Sequence, residues 1–224
     1  MKLVSELIRL SATDLSNHLA CRHLTSLDLQ VARGEKRPPE WAASDQVVIR
    51  ERGERHEAAY LAYLAEEKKL EVVNLAEIKD EEKLLAETLR LMGQGAEVIA
   101  QGALAEGRWF GRPDVLRRVE KRDGNWDWSY EVADTKLARE TKAATILQIS
   151  LYSELLAQVQ GCEPEWMWVI PPSHDFEGEA YRVAEYAAYF RYVKGRLARA
   201  VQSGGGSGTY PEPVPHCDVC RWFR

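Results

Sequence analysis

Hydrophobic and polar side chains alternate along the middle of the chain in the way that a β-strand requires. In an extended strand, successive side chains point to opposite faces. One face of this segment carries bulky side chains followed by a carboxylate and an ammonium group: Trp126, Trp128, Tyr130, Val132, Asp134 and Lys136. Glu131, Ala133 and Thr135 fall on the other face. The pattern therefore predicts a strand, at about 127–138, whose end is polar.

A second extended run, at about 109–119, precedes this strand and carries Asp114. Gly124 and Asn125 lie between the two runs, and both residue types are typical of tight turns. The two runs therefore predict a hairpin that brings Asp114 close to the polar end of the following strand.

The residues that meet at this end have a definite chemistry. Asp114, Asp134 and Lys136 supply two carboxylates and an ammonium group, a set that suits a divalent metal ion and a water molecule directed at a phosphate. Glu131 lies on the opposite face of its strand, so we expect that it does not contact the metal.

Apolar residues at helical or strand spacing predict the remaining elements. Helices are predicted at about 11–24, 45–67, 80–92, 141–160 and 184–202, and further strands at about 70–74, 97–104 and 165–170. Three strands adjacent in sequence form the middle of the predicted sheet. This order of elements describes an α/β sandwich with a mixed sheet. The glycine- and serine-rich segment 203–208 predicts a flexible linker.

Composition limits the class of protein without deciding its partner. A chain of 224 residues with 45% hydrophobic residues can bury one sizeable core. The sequence lacks a signal peptide and an apolar run of membrane-spanning length, so we predict a soluble, cytoplasmic protein that does not bind membranes. The net charge of -5 argues weakly against a nucleic-acid partner. Bound divalent cations would nevertheless reverse the sign of the charge inside an acidic pocket.

Three further polar residues are candidates for the same site. His56 lies on the long helix at 45–67, where a lone histidine is usually a surface or hydrogen-bonded residue. Gln148 and Tyr152 are four residues apart on a predicted helix and therefore share one of its faces. The pair either holds a nucleotide backbone or base, or marks an ordinary boundary between core and solvent.

The four cysteines are unevenly spaced, which is not typical of a secreted disulfide framework. Cys217 and Cys220 have the short gap that lets neighbouring thiolates bind one metal centre, and Cys21 lies near the other end of the chain. Cys162 falls between a helix and a core strand, so we expect a structural thiol there.

These residues occur in the order of the motifs of a known family. Pro113-Asp114, Asp134-Thr135-Lys136, Gln148 and Tyr152 resemble the motifs of PD-(D/E)xK nucleases of the RecB type, and His56 matches a histidine of that family. Cys21, Cys217 and Cys220 resemble the ligands of its iron–sulfur subclass, which includes CRISPR-associated and AddB-type exonucleases. The resemblance extends from Ser11 to Cys220.

The resemblance implies a fold and a domain organisation. It implies a restriction-endonuclease-like mixed sheet flanked by helices, with the two ends of the chain joined by a cysteine metal cluster. Residues 1–224 would form a single nuclease domain. Its core would be at about 45–202, and its cysteine lobe would combine 11–30 with 209–224.

The resemblance also implies a reaction, the metal-dependent hydrolysis of DNA, single-stranded or unwound. Asp114, Asp134 and the carbonyl of Thr135 would hold Mg²⁺ or Mn²⁺, and His56 would complete that site. Lys136 would orient the attacking water. The DNA strand would be positioned by Gln148 and Tyr152.

The chain departs from the subclass in one respect, because the subclass has one early and three late cysteines. Only Cys217 and Cys220 are present late in this chain, which ends at Arg224. We therefore expect a fragment of a longer protein and a 4Fe-4S cluster whose fourth ligand is missing from this chain. Proteins of this type often carry a helicase or a second nuclease domain as well.

Two other interpretations stay open at this point. The domain could be a nuclease fold that binds DNA without cleaving it, although the presence of Asp114, Asp134 and Lys136 argues for activity. Alternatively, the cysteines could bind zinc as a structural site in a protein–protein interaction module.

Overall fold

The computed structural model describes residues 1–39, 44–121, 124–138, 140–173, 175–204 and 208–223. The predicted linker at 203–208 and the turn before Gly124 therefore lie partly outside the described residues. Among the described residues, no helix is of a length and apolarity that would let it cross a bilayer.

The described chain combines helices with three β-sheets. The strands are β1 (Lys2–Val4), β2 (Leu7–Arg9), β3 (Val72–Asn74), β4 (Val98–Ala100), β5 (Leu104–Glu106), β6 (Trp109–Gly111), β7 (Val115–Val119), β8 (Ser129–Thr135), β9 (Trp166–Ile170) and β10 (Glu179–Arg182). The helices are α1 (Ala12–Ala20), α2 (Arg22–Ala32), α3 (Ser44–Glu66), α4 (Glu81–Gln94), α5 (Ala143–Gln160) and α6 (Val183–Gln202), followed by a 3₁₀ turn at Pro215–Val219.

The central sheet of the described residues has six strands in the order β10-β9-β8-β7-β4-β3. The pairs β3–β4 and β8–β9 are parallel, and the other neighbouring pairs are antiparallel. The molecule is therefore a mixed α/β structure with a mixed sheet flanked by helices, as the sequence predicts. The adjacency of β4, β7 and β8 confirms that strands close in sequence form the middle of the sheet.

The predicted hairpin is formed by β7 and β8. Val115 pairs with Ala133 in antiparallel register. Continuing that register by one residue places Asp114 across from Asp134, where β7 begins and β8 ends. The polar ends of the two strands therefore meet, as the alternation of residues predicts.

Several of the predicted strands are shorter than expected, and the strand predicted at 127–138 extends only over Ser129–Thr135. The strand predicted at 97–104 stops at Ala100, because Gln101 has a φ of 55° and cannot continue an extended strand. The strand predicted at 109–119 is interrupted at Pro113, which has no N–H for a ladder hydrogen bond. Strands β5 and β6, which lie outside the central sheet, pair with each other in a separate two-stranded sheet.

Alternate residues of β8 pack on opposite faces of the sheet. Tyr130 and Val132 belong to the apolar cluster that contains Leu147 of α5. Ala133 belongs to the cluster that contains Tyr60 of α3. The strand is buried from Ser129 to Asp134, so both faces are covered by helices.

The ends of the described chain meet beside α2. Arg221 forms an ion pair with Asp28 at 2.6 Å. The Nδ1 atom of His23 lies 3.1 Å from the hydroxyl oxygen of Thr209. The helix predicted at 11–24 is in fact two helices, α1 and α2, with Cys21 at their junction.

Candidate active site

Three carboxylates approach one another at the end of the β7–β8 hairpin. Asp114 precedes β7, Asp134 lies near the end of β8, and Glu57 comes from α3. The charge of Asp114 raises the pKa of both Glu57 and Asp134. The three groups therefore interact electrostatically as one acidic cluster, which we call the carboxylate cluster.

Asp114 is held in place by the strand opposite. Its Oδ2 atom accepts hydrogen bonds from the backbone N–H and the hydroxyl of Thr135, both at 2.8 Å. Its backbone carbonyl accepts a hydrogen bond from the N–H of Gln101 at 2.8 Å. These bonds orient the carboxylate. The proposed ligand role of the Thr135 carbonyl stays a prediction.

Asp134 is completely buried, which is unusual for a carboxylate. Burial is the main cause that raises its pKa, to about 7, and the charge of Asp114 adds to it. The ammonium group of Lys136 acts in the opposite direction and forms an ion pair with Asp134 Oδ2. In the described part of the chain, that oxygen accepts no hydrogen bond of good geometry, whereas Oδ1 accepts one from Gln148 at 3.1 Å.

Glu57 is the residue of this cluster that the sequence reasoning missed. Its Oε1 atom accepts a hydrogen bond of 2.6 Å from the side-chain amide of Gln101, whose nitrogen also lies 3.5 Å from Asp114 Oδ1. Burial raises the pKa of Glu57, and the charge of Asp114 raises it further. The available signal was the position of Glu57 directly after the candidate His56 on one helix.

His56 itself faces the neighbouring strand. Its Nε2 atom lies 3.1 Å from the carbonyl oxygen of Ile170, which also accepts the backbone N–H of Lys136 at 3.0 Å. Because a carbonyl only accepts, Nε2 carries the proton and only Nδ1 has a free lone pair. A ligand role for His56, which stays a prediction, therefore requires Nδ1.

Gln148 and Tyr152 lie on α5 beside the cluster. The amide nitrogen of Gln148 contacts Asp134 and lies 3.2 Å from the hydroxyl oxygen of Tyr152. Burial raises the pKa of Tyr152, and the charge of Asp134 adds to the rise, so the phenol stays protonated. A Cβ atom at Gly111 would lie 2.6 Å from the Tyr152 ring, so a residue without a side chain is needed at that position.

Arg112 is a second group that the sequence reasoning did not single out. Its positive charge lowers the pKa of Glu57, so the two groups interact electrostatically. Its Nε atom is buried and has no hydrogen-bond partner among the described residues. A buried donor of this kind costs free energy unless another acceptor reaches it.

The donors of the carboxylate cluster suit a hard divalent cation. Mg²⁺ and Mn²⁺ prefer carboxylate oxygens, and Asp134 Oδ2 is a buried oxygen whose contact is an ammonium group rather than a hydrogen bond of good geometry. Within the described ranges, however, no three His, Cys, Asp or Glu side chains are arranged so that they could hold a metal ion together. The ammonium group of Lys136 supplies the countercharge in this arrangement, and the neutral amide of Gln101 donates a hydrogen bond to Glu57.

The three cysteines predicted to share a cluster line one cavity of about 400 Å³, between α2 and the C-terminal segment. Cys21 lies at the α1–α2 junction, while Cys217 and Cys220 belong to the 3₁₀ turn and its end. Cys162 is half-buried and is not among the residues that line this cavity. Although Cys21, Cys217 and Cys220 line one cavity, within the described ranges they are not arranged so that they could hold a metal ion together, and the cluster stays a prediction.

Comparison of the chain with models of known protein families finds no match, and comparison with curated proteins finds none either. The functional assignment therefore rests on the geometry of the candidate site and on the motifs in the sequence.

Proposed function

We propose that the protein is a metal-dependent DNA nuclease of the PD-(D/E)xK type, similar to RecB-like nucleases, with a restriction-endonuclease-like fold. The observation that carries the proposal is the meeting of Asp114, Asp134 and Lys136 at the paired ends of β7 and β8. Two carboxylates can hold a divalent ion that activates water, and an ammonium group can orient that water towards a phosphodiester.

The residues of the site would have different roles in the reaction. Asp114 and Asp134 would hold the divalent ion, with Glu57 and, through Nδ1, His56 as further candidate ligands. When bound, Mg²⁺ or Mn²⁺ supplies Lewis acidity that lowers the pKa of a bound water and neutralises charge on the phosphate. Lys136 would orient that water and stabilise the hydroxide.

Other side chains would position the DNA strand. Gln148 is fixed by Asp134 and Tyr152, so its amide has a defined orientation beside the metal ligands. Arg112 has a buried, unpartnered Nε atom among the described residues, and a phosphate oxygen is an acceptor that fits it. The positive charges of the ion, Lys136 and Arg112 would offset the net charge of -5 where the substrate binds.

The cysteine cavity would hold a structural metal centre, for which we propose a 4Fe-4S cluster with Cys21, Cys217 and Cys220 as three of its ligands. Such a centre would tie the α1–α2 junction to the C-terminal segment. Iron and acid-labile sulfide analysis of anaerobically purified protein tests this proposal. Zinc without sulfide would contradict it and favour a structural zinc site.

A cleavage assay tests the nuclease proposal. Wild-type protein should degrade labelled single-stranded DNA with Mg²⁺ or Mn²⁺ but not with EDTA, and Asp114→Asn should lose cleavage by about a hundredfold or more. Glu131→Gln is the matched control, because Glu131 bonds to Trp168 on the opposite face of β8. Cleavage by Asp114→Asn at the wild-type rate, or an equal loss in Glu131→Gln, would contradict the site.

A further inference from the structure

A pocket lined by aromatic rings opens on the α3 side of the sheet. Its lining contains no residue of the nuclease motifs, although His56 lies next to it. Tyr60, Tyr63, Trp168 and Phe176 line this pocket, which has a volume of about 380 Å³. The ring centroid of Phe176 lies 5.2 Å from that of Tyr63 and 5.8 Å from that of Tyr60. We call this group of residues the aromatic pocket.

The pocket is built by a loop in an uncommon conformation. Phe176, between β9 and β10, has a φ of 51°, which an L-residue other than glycine rarely adopts. In this conformation its ring packs against α3 and is half-buried rather than enclosed. Backbone strain of about 1–3 kcal/mol is typical of residues held in place for function.

Cationic groups accompany the rings. The Arg117 guanidinium lies 4.7 Å from the Trp168 ring centroid, and the exposed Lys68 ammonium lies 5.4 Å from that of Tyr63. Trp168 is fixed from its other side by a hydrogen bond of 2.7 Å to Glu131. Flat rings that alternate with cations are the surface on which unpaired bases stack while their phosphates are neutralised.

The aromatic pocket adjoins the candidate active site. The ring of His56 stacks on Phe176 at 5.8 Å and an interplanar angle of 19°. Nε2 of that histidine and the backbone N–H of Lys136 meet at the carbonyl oxygen of Ile170, a residue that also lines the pocket. A nucleotide next to the scissile phosphate could therefore reach the pocket without leaving the site.

We propose that the aromatic pocket binds one unpaired nucleobase of the DNA strand that the carboxylate cluster cleaves. This inference rests on the proposed nuclease function and assigns the pocket as the feature that selects single strands. A base in a duplex is paired and stacked within the helix, so it cannot enter the pocket unless the strand is unwound. The carboxylates of Asp175 and Glu177 also line the pocket, so stacking rather than charge should dominate the affinity.

Binding without metal tests the proposal independently of cleavage. A single-stranded oligothymidylate of about ten nucleotides with one 2-aminopurine is titrated with protein in EDTA, alone and annealed to its complement. Phe176→Leu and Tyr63→Leu remove a ring but keep an apolar side chain, so the packing is largely preserved. Tyr192→Leu, at an exposed tyrosine of α6, is the control for a lost aromatic residue.

The expected result is quenching of 2-aminopurine by wild-type protein with the single strand only, and an affinity that falls about five- to a hundredfold in each pocket variant. Tyr192→Leu should bind like the wild type. Equal affinity of the pocket variants and the wild type, or equal binding of the duplex, would overturn the proposal.

The outcome also separates the pocket from the nuclease activity. A protein that cleaves DNA, but whose Phe176→Leu variant binds the single strand normally, contradicts the pocket alone. A protein that binds DNA through these rings but does not cleave it in the presence of Mg²⁺ or Mn²⁺ contradicts the nuclease proposal alone.

Discussion

Replacing Asp134 by asparagine should stabilise the metal-free protein at neutral and alkaline pH. Burial and the charge of Asp114 raise the pKa of Asp134 from its ordinary value of 3.8 to about 7. Ionising this carboxyl in the folded state at about pH 8 therefore costs about 4 kcal/mol relative to the unfolded chain. Asparagine is neutral and avoids that cost. It leaves Lys136 without its partner, but the Lys136 side chain is 28% exposed and can be hydrated.

The sign of the pH dependence follows from the raised pKa of Asp134. Between about pH 4 and about pH 7 the folded protein still holds a proton on Asp134 that the unfolded chain has released, so the free energy of unfolding falls as the pH rises through this range. The loss is complete above about pH 7, where the carboxyl is ionised in both states. Wild-type protein should lose about 2–3 kcal/mol between about pH 5 and about pH 8 from this group alone. The raised pKa of Glu57 acts in the same direction in both proteins.

Urea unfolding in EDTA at about pH 5 and about pH 8 measures both effects. Asp134→Asn should be about 2–4 kcal/mol more stable than the wild type at the higher pH, with a smaller pH dependence. The exposed Asp127→Asn is the matched control and should behave like the wild type. Added Mn²⁺ should stabilise the wild type more than Asp134→Asn, because the variant lacks a ligand. A variant that is less stable than the wild type without metal at about pH 8 would refute this reasoning.

Three further predictions concern other parts of the molecule. Glu57→Gln should weaken Mn²⁺ binding by about ten- to a hundredfold in calorimetric titration, and unchanged affinity would remove Glu57 from the site. Gly111→Ala should lower the free energy of unfolding by about 1–3 kcal/mol, because its Cβ would lie 2.6 Å from the Tyr152 ring. Its control, Gly53→Ala, has open space around it within α3 and should gain about 0.5–1 kcal/mol instead; equal effects of the two would contradict the packing argument. Cys217→Ser should lower the iron and sulfide content of purified protein, and an unchanged content would exclude Cys217 as a ligand.

The central hairpin and the approach of its polar ends could be predicted because side-chain alternation is a local property. Asp134 and Lys136 are two residues apart, so an extended chain gives them the same face, and their ion pair agrees with this although β8 ends at Thr135. The same alternation placed Glu131 on the other face, where it bonds to Trp168. Asp114 could be added because the hydrophobic pattern of two paired strands fixes their register.

The contributions of Glu57, Gln101 and Arg112 could not be predicted in the same way. Glu57 reaches the site from a helix far away in sequence, and only its position directly after the candidate His56 distinguishes it from the other carboxylates of that charged helix. Gln101 depends on a backbone turn with positive φ at the end of β4, a conformation that is unusual for glutamine. The role of Arg112 depends on which side chain its guanidinium faces, a tertiary property that spacing does not encode.

The aromatic pocket could not be predicted from the sequence either, because it also depends on tertiary packing. Tyr60 and Tyr63 lie on α3, Trp168 on β9 and Phe176 in a loop, so three separate elements supply its rings. No stretch of sequence contains more than two of them. Such a site becomes visible only when helix and sheet pack together.

The rate of single-strand cleavage by Lys136→Ala at saturating Mn²⁺ tests the central claim most directly. Lys136 is not expected to be a metal ligand, so the variant should still bind Mn²⁺ while its cleavage rate falls about a hundred- to ten-thousandfold. That combination would place Lys136 at the reacting water beside Asp134, as their ion pair suggests. Cleavage at the wild-type rate by the metal-saturated variant would contradict the claim that these residues form the catalytic centre.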